Sequence, residues 1–155
     1  MRLETSTEAD LPIIDAWCAN EPYLSRCIYN IAFLTASPNS ILVFKLCDQI
    51  GPVLFCRIEP DAKDKEIARF HILFAPAEAV SRGRIAKAML RTMNVVFNWV
   101  KAEGYTGIIF DSVSDGLIKF LNRVGFKPVE GTNDYLLHFD PPVILASVPT
   151  MPLGL

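Results

Sequence analysis

The stretch EIARFHILFAPAEAVSRGRIAKAMLRTMNVVFNWVKAEGYTGIIFDS, residues 66–112, decides the fold. Its apolar run from Ile67 to Phe74 reads as a strand that passes through Ala75-Pro76 into a loop. The loop feeds a long amphipathic helix, Ser81 to Glu103. There Ile85, Ala86, Met89, Leu90, Met93, Val96, Phe97 and Val100 recur at spacings of three and four, so they share one face. Arg84, Lys87, Arg91, Asn94, Asn98 and Lys101 fall mainly on the other. Gly104 stands where a left-handed residue would end the helix. A second strand, Gly107 to Ser112, follows at once. Strand, helix and strand at this spacing predict a right-handed βαβ crossover joining parallel strands. The turn into such a helix can bind an anion, because its first amides lack intrahelical partners.

Upstream, Ile41 to Cys47 and Pro52 to Ile58 flank Asp48-Gln49-Ile50-Gly51 and read as an antiparallel hairpin. Polar residues Glu59 to Glu66 then connect to the crossover's first strand. At the start of the chain, Arg2 to Thr5 can form a strand. Thr7 and Asp10 have the spacing of a capping box, with Asp in place of the usual Glu or Gln. Leu11, Ile14 and Trp17 make a helical stripe to about Cys18, broken by Asn20-Glu21-Pro22. Tyr23 to Leu34 reads as a second helical segment, and Ser37-Pro38-Asn39-Ser40 as a turn. Downstream, Ser114 and Asp115 can cap a short helix through Val124 that Gly125 ends. Phe126 to Val129 and Tyr135 to Phe139 predict a closing hairpin, and Asp140-Pro141-Pro142 stops regular structure. The expected class is α/β, with one domain over residues 1–139 and an arm over 140–155.

A chain of 155 residues can bury roughly two-thirds of its unfolded surface. With 51% hydrophobic residues, a full core is expected rather than disorder. A net charge of −2 gives no global drive toward nucleic acid or an anionic membrane. No apolar run approaches the roughly 18 residues of a membrane span. The first residues lack the apolar segment of a signal peptide, so a cytoplasmic setting is expected. Cys18, Cys27, Cys47 and Cys56 make neither a CxxC nor a metal-ligand pattern and read as reduced thiols.

Residues 143–155 carry no charged side chain, and Pro149 and Pro152 exclude a regular helix through them. An apolar segment of this kind should lie against something apolar, either its own domain or a neighbouring subunit. In the second case Val143, Ile144, Leu145, Val148, Met151 and Leu153 would bind the partner, and the protein would be an oligomer or part of a larger assembly. His71, on the central strand, is a candidate general base, although a lone strand histidine is more often a hydrogen-bonded face residue. Glu66 is a second candidate, acting through a water. Asp111 and Ser112 end the following strand and can pair locally. Cys56 has no constellation that would make it a nucleophile. Arg82, Arg84 and Lys87 crowd the first turn of the long helix, where the dipole disfavours cations. An anionic ligand would offset that cost.

Three stretches resemble the GNAT family, the Gcn5-related N-acetyltransferases. Arg2-Leu3-Glu4-Thr5-Ser6-Thr7-Glu8-Ala9-Asp10-Leu11-Pro12 is similar to the opening IRPATEADLP of many members. Residues 81–90 stand where the family's acetyl-CoA motif, Q/R-x-x-G-x-G/A, begins its long helix. Ile118-Lys119-Phe120-Leu121-Asn122-Arg123-Val124-Gly125-Phe126 is similar to the family's AIRFYEKLGF segment. The resemblance implies a mixed, mostly antiparallel sheet with one parallel crossover and helices on both faces. It implies acetyl-CoA at Ser81, Arg82, Gly83, Arg84, Ile85, Ala86 and Lys87, if the chain is an active N-acetyltransferase. The motif is degenerate, however: aligned through Ile85 and Ala86, its first glycine is replaced by Arg84, while aligning instead on Arg82-Gly83 needs one residue deleted before Ile85. The tyrosine that usually acts as general acid falls on Leu121, which cannot protonate a thiolate. GNAT-like domains with degenerate loops are known among virion proteins of tailed phages. This chain resembles those in lacking the glycine pair, which implies a non-catalytic binding or assembly module, in that case in a virion.

Overall fold

The computed structural model describes residues 1–19, 42–112 and 114–139. The expected helical segment at 23–34, the turn at 37–40 and the arm at 143–155 lie outside the described residues. Strand β1 (Arg2–Thr5) leads through a 3-10 turn (Glu8–Asp10) into α1 (Leu11–Ala19). The hairpin β2 (Leu42–Cys47) and β3 (Pro52–Pro60) is followed by β4 (Ile67–Phe74) and the long helix α2 (Arg82–Ala102). Then come β5 (Gly107–Asp111), α3 (Asp115–Val124), β6 (Lys127–Pro128) and β7 (Asp134–His138). The seven strands form one sheet in the order β1-β2-β3-β4-β5-β7-β6. All neighbouring pairs are antiparallel except β4 and β5, which carry the crossover.

That parallel pairing is short. Its register runs only through Ile67↔Gly107, Ala68↔Ile108 and Arg69↔Ile109. Past Arg69, β4 continues to Phe74 beside β3, while β5 stays paired with β7 as far as Asp111↔Asp134. The two central strands therefore part on the side where β4 runs into α2. At the joined end, Gly107 is required by a close backbone approach: a Cβ there would lie 2.6 Å from the Leu137 carbonyl oxygen.

Alternation along the strands makes two cores. Under α2, Leu54, Cys56, Ile58, Ala68, Phe70, Ile108 and Phe110 meet Met89, Met93, Val96 and Val100, with Leu121 and Phe126 closing the end. Phe70 stacks on Phe110, and Phe126 meets both rings edge-on. A second, smaller cluster joins Ile14 of α1 to Phe55 and Leu73, with Trp17 edge-on to Phe55. The buried stripe of α2 is rotated from the sequence expectation. It includes Ala88 and Thr92, whereas Ala86 is exposed and Leu90 is 61% exposed. Centring the stripe on these two small residues lets the helix lie close to the sheet. Strand β3 also outruns its expected end, because Glu59 and Pro60 pair with Arg69 and Ala68. Three helix ends match their signals: Ser81 and Ser114 are N-caps, and Gly125 is left-handed with φ 114°. Among the described residues no helix is long and apolar enough to cross a membrane.

Gly107→Ala should destabilise the protein by roughly 3 kcal/mol or more, since a backbone carbonyl cannot move aside as a flexible side chain can. Urea midpoints of variant and parent measure it; equal midpoints would mean that β7 yields there.

Candidate functional site

The turn between β4 and α2 holds itself together. Pro76 O accepts the amides of Ala79 at 2.9 Å and Val80 at 3.1 Å. Ser81 caps the helix, its Oγ accepting from Arg84 N at 3.3 Å and its carbonyl from Ile85 N at 3.1 Å. The amides of Arg82 and Gly83 find no acceptor among the described residues. A Cβ on Gly83 would meet nothing within 4 Å, so packing does not dictate glycine there.

Arg84 reaches across to the β2–β3 turn. Its Nη2 donates to Asp48 Oδ1 at 2.7 Å and its Nε to Oδ2 at 2.5 Å, a bidentate pair. Asp48 Oδ1 also accepts the amides of Ile50 and Gly51, so one carboxylate both shapes the hairpin turn and anchors the helix start. The Arg84 guanidinium, aided by those amides, holds the Asp48 carboxyl well below the usual range, and Asp48 in turn raises Arg84. The cation that the sequence left without an explanation thus has its anion within the chain. Arg82 and Lys87 remain exposed.

On the α1 side of the sheet a polar band crosses the splay. Arg57 and His71 are cross-strand partners, as are Glu59 and Arg69. His71 Nε2 lies 3.0 Å from Glu59 Oε1, and Arg57 Nη2 donates to the other Glu59 oxygen. The hydrogen bond to His71, with the Arg57 charge, outweighs burial and lowers Glu59, which stays a carboxylate able to orient the imidazole. Arg69, at the last registered pair before the strands part, contacts three carboxylates. Its Nε bonds Asp61 at 2.8 Å, both Nη atoms bond Asp134 at 3.1 Å, and Nη1 lies 3.4 Å from Asp111. Asp61 is buried and also caps the amides of Lys63 and Asp64. Burial would raise its pKa, but Arg69 and those amides lower it overall.

The other candidates fall elsewhere. Glu66 is exposed at the joined end of β4, roughly 17 Å along the strand from His71, so the two do not meet. Ser112 accepts Ser114 N and serves the turn into α3. Cys56 is fully buried, and burial pushes its thiol far up, the opposite of what a nucleophile needs. Leu121 is fully buried in the α2-side core. Asp48, Glu59, Asp61, Arg69 and Asp134 were not singled out from the sequence. A register for the β3–β4 hairpin would have placed Glu59 beside His71, whereas nothing local links Asp48 to Arg84. Among the described residues no group of three His, Cys, Asp or Glu could hold a metal ion.

No protein-family model matches the chain, and no curated protein matches it. Solved structures do. A GCN5-related N-acetyltransferase from Kribbella flavida is 17% identical, with 89% of this chain and 96% of that one covered at a TM-score of 0.64. The aminoglycoside acetyltransferase AAC(6')-Ib in complex with coenzyme A is 16% identical, with 88% and 93% covered at 0.62. A chimera built on a Vibrio cholerae spermidine N-acetyltransferase is 14% identical, with 89% and 96% covered at 0.60. At these identities the likeness shows the fold: the chain has the GNAT architecture.

Two outcomes follow from the ion pairs. Asp48→Asn should lower stability above about pH 5, and its gap to the parent should narrow below about pH 4. The sign follows from the lowered Asp48 pKa: its contribution is complete above the unfolded value and is lost as pH falls through the folded one. Urea midpoints across that range read it, and a gap unchanged down to about pH 3 would remove Asp48 as the cause. Arg69→Leu should cost about 3 kcal/mol at neutral pH and less in acid, because three carboxylates then face one another without their cation.

Proposed function

We propose that this GNAT-fold chain is a binding or assembly module rather than an efficient acetyltransferase. The Arg84–Asp48 pair carries the reading. A coenzyme diphosphate needs converging donors and positive charge at the helix start. Here the Arg84 guanidinium is bound to Asp48, and the amides at 79, 80, 84 and 85 have acceptors within the turn, which leaves those of Arg82 and Gly83 as its open donors. The residues present fit the coenzyme poorly, and the leucine at 121 has no proton to give. The uncharged stretch at 143–155, with Val143, Ile144, Leu145, Val148, Met151 and Leu153, supports attachment to other subunits. The resemblance to tailed-phage virion proteins supplies one setting for such a module.

One observation favours the alternative, an acetyl-CoA-dependent N-acetyltransferase acting on a protein or small-molecule amine. The sheet keeps its parting between β4 and β5, with His71 held by Glu59 on one face beside it. In that reading the imidazole would take a proton from the attacking amine, and Arg82, Gly83 and Lys87 would face the coenzyme.

Calorimetry with acetyl-CoA separates the two. The binding-module reading expects a dissociation constant weaker than about 1 mM, and Asp48→Ala, by freeing Arg84, should strengthen it. Micromolar binding to the parent chain, abolished by Arg84→Glu, would replace the module with the enzyme.

A further inference from the structure

The chain has 15 basic and 17 acidic residues, but their distribution is uneven. Helix α2, from Arg82 to Ala102, holds five basic residues, Arg82, Arg84, Lys87, Arg91 and Lys101, and no acidic one. The remaining ten basic and 17 acidic residues therefore give the rest of the chain a charge of −7. Of the five, only Arg84 has a carboxylate partner within the described residues. Lys101 lies over the Phe139 ring, 5.1 Å from its centroid. Arg82, Lys87 and Arg91 are exposed, and Lys87 and Arg91 are four residues apart, where like charges repel. No acid on the helix offsets these cations through an intrahelical pair.

Apolar residues stand within this basic surface. Ala86 and Leu90, four apart and both exposed, form a short ridge that Arg82 heads, with Lys87 and Arg91 on the adjacent row. Leu90 is 61% exposed, although the helix buries its other large aliphatic side chains in whole or in part. A phosphate backbone offers nothing for a leucine to bury against. An acidic amphipathic helix offers both: an apolar face for the ridge and flanking carboxylates for the cations.

We propose that the outer face of α2 docks an acidic amphipathic helix of a partner protein, with Leu90 as the anchor and Arg82, Lys87 and Arg91 as the charged rim. This names the partner class of the binding-module reading and rests on that reading. Charge complementarity favours this occupant, because the rest of the chain is net acidic while this helix carries five cations and no acid.

The test is fluorescence anisotropy with two labelled probes, a synthetic helix presenting leucine flanked by glutamates and a DNA duplex of the same net charge. The full chain should bind the peptide more tightly than the duplex. Leu90→Asp and the double variant Lys87→Glu/Arg91→Glu should each weaken the peptide complex about tenfold or more. Arg123→Glu, the same kind of charge change on α3, should leave it intact. Equal binding of both probes, or indifference to Leu90→Asp, would make the face a general anion surface and overturn the proposal, as would no binding of either probe. Acetyl-CoA is absent from the assay, so failure here and failure of the module reading by calorimetry are separate results.

Discussion

The architecture depends on Arg69. It occupies the last position at which β4 and β5 are in register, and its guanidinium joins the β3–β4 loop, β5 and β7 through Asp61, Asp111 and Asp134. A parallel seam of three pairs has few backbone hydrogen bonds of its own. The partly buried ion cluster fastens across it the parts of the molecule that the parting would otherwise leave apart. One cation among three carboxylates remains electrostatically favourable only because each carboxylate has another source of relief: backbone donors for Asp61, partial solvent access for Asp111 and Asp134. The opening between the strands is thus a fixed feature of the fold, held at its vertex.

The fold was legible in the sequence because its signals are local and agree with one another. The stripe of α2, the serine caps, Gly104 and Gly125, and the Asp48–Gly51 turn each specify structure over a few residues. The errors were rotations and extensions. Ala86 and Leu90 lie on the periodic stripe by count, yet Ala88 and Thr92 take the buried positions because small side chains allow close packing. Glu59 and Pro60 look like loop residues until Arg69 and Ala68 are placed opposite them. The candidate site was less legible for a physical reason. Its organising contacts, Asp48 to Arg84 and Arg69 to Asp134, link residues 36 and 65 positions apart, and only the folded register brings them together.

The two faces of the sheet divide the chemistry. Among the described residues, aromatic and aliphatic packing under α2 forms the larger core, while the opposite face carries ion pairs and a small cluster beneath α1. A fold family can keep such a scaffold and exchange what is mounted on it: the Phe70, Phe110 and Phe126 rings pack in the core, whereas Arg82 and Gly83 at the helix start are exposed. That separation lets Arg84 pair with Asp48 at the helix start without disturbing the core.

The depth of Cys56 has a consequence of its own. Its sulfur is sealed between the middle of the sheet and α2, and stays protonated well beyond neutral pH. An alkylating reagent can reach it only when the helix lifts from the strands and the thiol regains water. The rate at which that sulfur is modified therefore reports how often α2 parts from the sheet.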